Sequence, residues 1–260
     1  MSDAIRAETV YIGDEKIQAY QAVPLGAGPF PGVVVIHHLP GFDESTKEMV
    51  RRFAVNGYLA ICPNLFWREA PGAAPDDASA FVRGQGGIPD EQIIADVRTA
   101  AAALHAVHSA DGTPIHNGSA HNGKVGVIGH CSGGRQALLV STALPLDAAV
   151  DCYGAFALEP PPAASGLKMT SIKDRLGDLN CPVLGLFGDD DSNPAPAEVD
   201  RLAGILAEHG KQFERHSYEG AGHGFFAPDR PGYRPQAAVD GWKRIFAFFD
   251  RHLGGKRLEV

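Results

Sequence analysis

The stretch of residues 125–134 constrains the fold more than any other part of the chain. It opens with apolar residues typical of a buried strand, and helix-forming residues follow it. Between the two lies the sequence Gly-His-Cys-Ser-Gly, in which glycines flank Cys131 at equal distance on either side. A strand that passes into a helix through so sharp a turn strains its central residue and needs small neighbours. The spacing therefore predicts a nucleophile elbow with Cys131 exposed at the end of the strand.

The helix that follows the turn would favour a reactive Cys131. Its amino terminus carries a partial positive charge and free N–H groups, which stabilise a thiolate and, later, an oxyanion. Ser132 is the alternative nucleophile, because serine is the commoner nucleophile at such turns. It would be central only if residues 130 and 134 were both glycine, and residue 130 is histidine. The spacing favours Cys131, and the remaining alternative is a small buried cysteine beside glycines that allow close packing.

Composition and charge indicate one globular domain that handles small molecules. The chain has 260 residues, 44% of them hydrophobic, and a single domain over residues 1–260 is expected. Its net charge is -8 and it has no basic cluster, which argues against nucleic acid or an anionic membrane as a partner. The amino terminus lacks the pattern of a secretory signal, and the four cysteines are widely spaced. We therefore expect a cytoplasmic protein that uses its cysteines as thiols.

Strand and helix patterns alternate along the chain. Residues 8–11 and 16–23 alternate like two antiparallel strands joined by a turn at Gly13, and they are expected at the edge of the sheet. Short apolar runs typical of central parallel strands follow at 33–36, 58–62, 125–128, 147–153, 182–187 and 212–218. Helical spacing separates most of them, including a helix from Pro89 to near Gly112 and one from Pro194. The pattern predicts an α/β fold with a mostly parallel, doubly wound sheet and helices on both faces.

Three loops at the ends of predicted strands carry the polar groups. Residues 65–87 are rich in Pro, Gly, Ala and Asp and predict a long loop that serves as a lid or pocket wall. Gly188-Asp-Asp-Asp191 follows one strand, and His223 lies between glycines after the last strand. Because ligands bind at the carboxyl ends of strands in such sheets, the order cysteine, aspartate, histidine suggests a catalytic triad.

These residues carry a resemblance to a known family. The sequence resembles the dienelactone hydrolases (carboxymethylenebutenolidases and relatives), which have the α/β-hydrolase fold. The similarity runs from about Val33 through the final helix. Its most specific marks are Gly-His-Cys-Ser-Gly-Gly at 129–134, Cys-Pro-Asn-Leu-Phe-Trp-Arg at 62–68, Gly-Asp-Asp-Asp at 188–191 and Gly-Ala-Gly-His-Gly-Phe at 220–225. The resemblance implies hydrolysis of a small ester or lactone through a thioester acyl-enzyme.

The resemblance also implies roles for individual residues. Cys131 matches the nucleophile, His223 the base, and Asp191 the acid, with Asp190 as the alternative because three consecutive aspartates blur the register. The backbone N–H groups of Leu39 and Ser132 match the oxyanion hole. Side chains expected around the substrate are His38, Phe42, Trp67, Arg83 and Phe225. No metal or organic cofactor is implied, and the expected state is a monomer or homodimer.

The chain departs from the family at two positions. The glutamate that precedes the oxyanion-hole residue in well-known members is replaced by His37-His38, and an arginine that binds the dienelactone carboxylate is replaced by Ala227. Arg83 and Arg230 are the nearest substitutes for that arginine, so dienelactone itself is not the expected substrate. We hypothesise that His38 lies near Cys131 and alters its resting ionisation. A thiol titration of Cys131 that is unchanged by His38→Ala would contradict this hypothesis.

Overall fold

The computed structural model describes residues 5–25, 28–107 and 121–255, and these residues form an eight-stranded sheet. The strands are β1 (Ile5–Ile12), β2 (Ile17–Pro24), β3 (Phe30–Ile36), β4 (Leu59–Pro63), β5 (His121–His130), β6 (Ala148–Cys152), β7 (Val183–Gly188) and β8 (Phe213–Tyr218). Their order across the sheet is β1-β2-β4-β3-β5-β6-β7-β8. All neighbours from β4 to β8 in this order are parallel. The carboxyl ends of these six strands therefore lie along one edge, which confirms the predicted mostly parallel sheet.

The edge of the sheet is the predicted antiparallel hairpin. β1 pairs with β2 from Ile12 opposite Ile17 to Ile5 opposite Pro24, and β2 pairs antiparallel with β4. Gly13 begins the turn with a φ of 66°, in the left-handed region that favours glycine. A Cβ at this position would lie 2.6 Å from Cγ2 of Thr99, so the turn also packs too closely against a neighbouring helix for a side chain.

Helices cover both faces of the sheet. They are α1 (Glu44–Val55), α2 (Pro75–Gln85), α3 (Asp90–Leu104), α4 (Ser132–Ser141), α5 (Pro196–Glu208) and α6 (Pro235–Leu253). α1 and α6 pack on one face through residues such as Phe53 and Phe249, both completely buried. α2 to α5 pack on the other face, where Val97 and Leu138 are completely buried. Each such apolar side chain contributes about 1.5–3 kcal/mol by leaving water.

The expectation of a loop over residues 65–87 is corrected, because α2 occupies half of that segment. Pro75 stands in the first turn with Asp76 and Asp77, and Gly86 ends the helix with a left-handed φ of 101°. The buried stripe of α2 is narrow and consists of Ala78, Ser79 and Val82. Such a stripe gives almost no apolar periodicity, and for this reason the sequence pattern did not indicate a helix.

Two helix boundaries also differ from the expectations. α3 ends at Leu104, earlier than Gly112, and Gly112 itself lies outside the described residues. α5 begins at Pro196, two residues after Pro194, and Gly210 follows its end with a φ of 64°. A glycine and a proline in the sequence were taken as helix boundaries, but neither one coincides with the boundary in the structure.

Candidate active site

The strand–turn–helix at residues 129–133 has the backbone strain that its sequence predicts. Cys131 lies between β5 and α4 with φ 56° and ψ −125°, a conformation that costs a non-glycine residue on the order of 1–3 kcal/mol. The backbone passes so tightly that a Cβ on Gly129 would lie 1.9 Å from the carbonyl oxygen of Gly133. A Cβ on Gly133 would lie 2.6 Å from the carbonyl oxygen of Ile36. The two glycines are therefore steric requirements of the turn.

We expect Gly129→Ala to lower the free energy of unfolding by at least about 2 kcal/mol, because the new methyl group meets backbone that cannot move aside cheaply. Gly204→Ala is the matched control. Gly204 lies inside α5, and a Cβ there has no heavy atom within 4 Å. Alanine at this exposed helical position should raise the free energy of unfolding by about 0.5–1 kcal/mol. Urea denaturation of both variants measures the difference, and equal shifts in midpoint would refute the steric argument.

Cys131 is the most accessible of the four free thiols. Cys62, Cys152 and Cys181 are buried, whereas Cys131 is partly exposed at the amino-terminal end of α4. Its backbone N–H donates a hydrogen bond of 3.0 Å to the carbonyl of Cys152 at the end of β6. This bond holds the turn against the neighbouring strand and keeps the thiol at the carboxyl edge of the sheet.

His223 and Asp191 come from the two loops that follow β8 and β7. Nδ1 of His223 lies 2.9 Å from Oδ2 of Asp191, and Oδ1 of the same carboxylate accepts a hydrogen bond from the backbone N–H of Asn193 at 2.8 Å. Asp191 is buried, with 4% of its surface exposed, whereas Asp190 is exposed. Between the two aspartates considered from the sequence, the structure thus brings Asp191 to the histidine.

Two partners hold His223 in its charged form. Burial alone would lower the pKa of His223, but hydrogen bonds to Asp191 and to Cys131 outweigh it and raise the pKa to about 10. The same interactions bring Cys131, His223 and Asp191 into one connected chain of side chains. Near neutral pH the imidazole of His223 is therefore protonated and stands ready to donate a proton beside the thiol.

Leu39 and Ser132 line one cavity of about 30 Å³, Leu39 from the loop after β3 and Ser132 from the first residue of α4. No described residue accepts a hydrogen bond from the backbone N–H of either one. An oxyanion hole requires two unpaired amides that face one space, and here one of the two follows Cys131 directly in the chain. Their role remains a prediction.

His37 and His38 have different environments, although they are neighbours in the chain. His37 is buried, donates from Nδ1 to the carbonyl of His38 and accepts at Nε2 from the N–H of Leu65. Burial lowers the pKa of His37 to about 4, so it stays neutral and fixes the loop.

His38 instead lies with Nε2 2.8 Å from Oδ2 of Asp43, the residue that caps α1. Burial opposes the charge on Asp43, but hydrogen bonds from His38 and Thr46 lower the pKa of Asp43 to about 2. An ionised carboxylate therefore stands directly behind His38. The proposed effect of His38 on Cys131 stays a prediction, and the substitution His38→Ala tests it.

His130, the neighbour of Cys131 in the chain, is not equipped to act as a base. It is buried among aromatic rings, with the ring centroid of Phe226 at 5.2 Å and that of Tyr153 at 5.9 Å. Neither ring nitrogen has a hydrogen-bond partner among the described residues, and burial lowers the pKa of His130 to about 3. With no carboxylate to orient it, His130 is a neutral packing residue, and His223 is the better candidate.

The side chains expected around the substrate do not gather in the cavity shared by Leu39 and Ser132. Of the five side chains expected there, His38 is the one that lines this cavity. Phe42 lines a second cavity on the other side of Phe66. Trp67 packs against Tyr11 at 5.6 Å between ring centroids, and Arg83 is exposed near the end of α2. Phe225 is completely buried against Tyr153 and Tyr218, so it is a core residue.

The cavity contains a charged residue that the sequence analysis did not select. Arg135 on α4 is completely buried and forms an ion pair with Asp90 at the start of α3. A signal existed, since Arg135 is the one charged residue in the helix sequence SGGRQALLVS, and arginine is seldom fully buried unless it is paired. Along the described part of the chain, no three His, Cys, Asp or Glu side chains cluster as metal ligands would. Nor does any described helix have the length and apolar character to cross a bilayer.

The fold and the site together define an α/β-hydrolase. Comparison with known proteins makes this more specific, since the model of the dienelactone hydrolase family matches residues 17–253. A Methylorubrum extorquens protein provisionally named carboxymethylenebutenolidase is 34% identical over 241 residues, covering 92% of this chain and 78% of the relative. A Bradyrhizobium protein provisionally named as a 2-oxo-3-(5-oxofuran-2-ylidene)propanoate lactonase is 27% identical and covers 98% of both chains.

Among solved structures, one of Klebsiella pneumoniae described as a dienelactone hydrolase superposes with a TM-score of 0.78 at 31% identity. It covers 96% of this chain, and this chain covers all of it. The chain belongs to the dienelactone hydrolase family and is a hydrolase that acts on ester or lactone bonds.

Proposed function

We propose that the protein hydrolyses a small carboxylic ester or enol-lactone through a covalent thioester on Cys131. The observation that carries this proposal is the strained, partly exposed Cys131 connected to a His223–Asp191 pair with a separation of 2.9 Å. A thiol, a histidine and an acid that orients the histidine form the arrangement by which a nucleophile is activated. The Bradyrhizobium relative, named for its action on a furanone lactone, supports a lactone among the substrates.

The proposed reaction has two steps. The Cys131 thiolate attacks the carbonyl carbon, and the backbone N–H groups of Leu39 and Ser132 bind the oxyanion. The tetrahedral intermediate collapses, the C–O bond breaks, and His223 gives its proton to the departing alkoxide.

Neutral His223 then removes a proton from water, and the resulting hydroxide attacks the thioester. Collapse of the second intermediate releases the carboxylic acid and restores the thiolate beside protonated His223. The side chains named supply every proton and electron pair, so the proposed reaction calls for no metal or organic cofactor.

The segment over residues 65–87 has a proposed place in the same site. Phe66, Val82 and Gly87 all line the cavity that Leu39 and Ser132 share. We propose that this segment forms the wall of the acyl pocket within a single domain. We also propose a cytoplasmic location, because a thiol nucleophile needs a reducing compartment.

Mass spectrometry of the acyl-enzyme tests the proposed function. We expect the protein to hydrolyse p-nitrophenyl acetate and a small enol-lactone. Quenching in acid during turnover should trap an added mass of one acetyl group on Cys131, which fragmentation of the peptide distinguishes from Ser132. If the trapped acetyl group is found on Ser132, the acyl-enzyme is a serine ester and the proposed thioester on Cys131 is wrong. Absence of turnover with every ester and lactone would favour a protein that binds small ligands without catalysis.

A further inference from the structure

The cavity that contains the two proposed oxyanion donors also contains an unusual polar wall. Arg135 and Gln136, consecutive residues in the first turns of α4, both line it. Each has one buried polar atom without a hydrogen-bond partner among the described residues, Nε of Arg135 and Oε1 of Gln136. A buried polar atom left unpaired costs about 1–3 kcal/mol, and native proteins keep few of them. Two at the same wall indicate a site that a ligand group completes.

Arg135 is held rigidly, and its charge is already neutralised. Its two terminal nitrogens each lie 2.9 Å from an oxygen of Asp90, and one of them also donates to the carbonyl of Thr170 at 2.7 Å. The side chain has no exposed surface. These bonds use three of the five N–H groups of the guanidinium, and Nε is the one nitrogen left with no acceptor among the described residues. The guanidinium can therefore offer the hydrogen bond of Nε–H to a ligand, but little net charge.

Gln136 supplies the complementary group. Its Oε1 is buried at the wall as an acceptor, and a glutamine amide cannot be protonated or charged at any ordinary pH. The unpartnered atoms of this wall are thus one donor nitrogen, Nε of Arg135, and one acceptor oxygen, Oε1 of Gln136. A hydroxyl can accept from Nε–H of Arg135 and donate to Oε1 of Gln136 at once, so it complements both atoms. A carboxylate would meet the oxygen of Gln136 and the nearby carboxylate of Asp90, both of which repel it.

We infer that this wall binds a hydroxyl group on the acyl chain of the substrate, so that the preferred substrates are short esters or lactones of hydroxy acids. The inference rests on the proposed function, because the acyl group is placed by the attack of Cys131. The cavity volume of about 30 Å³ has room for about two water-sized groups. That volume fits a hydroxyl on a short chain better than a long or aromatic acyl group.

A matched series of esters tests the inference. The substrates are p-nitrophenyl butyrate, p-nitrophenyl 3-hydroxybutyrate and p-nitrophenyl hemiglutarate, with spontaneous hydrolysis subtracted. We expect the wild type to prefer 3-hydroxybutyrate over butyrate by about tenfold or more in kcat/KM, as one or two hydrogen bonds to a hydroxyl would give. Gln136→Met should reduce this ratio to within about twofold of one. Gln92→Met is the matched control, since Gln92 bonds to Glu69 outside the cavity and its ratio should not change.

The outcomes separate this inference from the proposed function. If the wild type hydrolyses both esters with a 3-hydroxybutyrate to butyrate ratio of kcat/KM near one, the hydroxyl site is overturned. It is also overturned if Gln136→Met leaves a high ratio unchanged. Neither result contradicts the thioester mechanism. A preference for hemiglutarate overturns it in favour of a carboxylate site. If no ester is hydrolysed, the proposed function fails and the inference fails with it. If Gln136→Met does not fold, as judged by its circular dichroism and melting temperature, the wild-type ratio alone decides.

Discussion

Replacing Cys131 by alanine is expected to lower kcat/KM for p-nitrophenyl acetate at least about 10³-fold. Removal of a nucleophile eliminates the covalent step and leaves only the assistance of the oxyanion hole and of binding. Ser132→Ala should keep activity within about tenfold of wild type, because the proposed role of Ser132 uses its backbone N–H and not its hydroxyl. Steady-state kinetics on both variants measures the contrast.

Labelling with iodoacetamide checks the same assignment without a substrate. Burial raises the pKa of Cys181 to about 11 and also raises the pKa values of Cys62 and Cys152, so these thiols should react slowly at pH 7.5. We expect the label on Cys131, in the wild type and equally in the control variant Cys181→Ala. If Cys131→Ala turns over at the wild-type rate, or Ser132→Ala is the variant that loses activity, the nucleophile is not Cys131.

The parts of the site that follow from local backbone geometry could be predicted from the sequence. The turn requires glycine at 129 and 133, because a Cβ on Gly129 would lie 1.9 Å from the carbonyl oxygen of Gly133 and a Cβ on Gly133 would lie 2.6 Å from that of Ile36. The hairpin at Gly13 is likewise a local property of a few residues. Both were predicted correctly, because the constraint and its signal lie in the same short stretch.

The parts that depend on packing between distant segments could not be predicted. Phe225 was expected to face the substrate, yet it is buried against Tyr153 from another strand end. Arg135 and Asp90 lie 45 residues apart, and only the three-dimensional fold shows that they pair across α3 and α4. The sequence of α2 also lacks a clear apolar periodicity, because the buried face of this helix is narrow and consists of only three residues.

The histidines show why residue type alone leaves function open. His37, His130 and His223 all lie at or beyond strand ends, but burial makes the first two neutral, with pKa values of about 4 and about 3. His223 has a carboxylate on one ring nitrogen and 37% of its side chain exposed to solvent. That combination of an orienting acid and access from outside distinguishes it, and both depend on where the three loops meet.

Replacing Asp191 by asparagine is expected to reduce kcat/KM about 10²–10⁴-fold while the protein remains folded. The neutral amide keeps the shape of the carboxylate, but it no longer fixes the tautomer of His223 or stabilises its charge. The pKa of His223 should fall from about 10 toward its usual range, because one of the two interactions that raise it is lost. Asp190→Asn is the matched control, since Asp190 is exposed and its neighbour holds the histidine. Titration of the His223 ring protons by NMR measures the shift.

The same substitution makes a signed prediction for stability. His223 has a higher pKa in the folded state than in the unfolded state, near 6.5, so its charged form stabilises the fold fully below about pH 6.5. This contribution is lost as the pH rises through about 10. The difference in free energy of unfolding between wild type and Asp191→Asn should therefore be larger at pH 6.5 and narrow toward pH 10, as measured by urea denaturation across that range. If the pKa of His223 changes in Asp190→Asn and not in Asp191→Asn, the acid that orients His223 is Asp190. The hydrogen bond between His223 and Asp191 would then not be the one that catalysis uses.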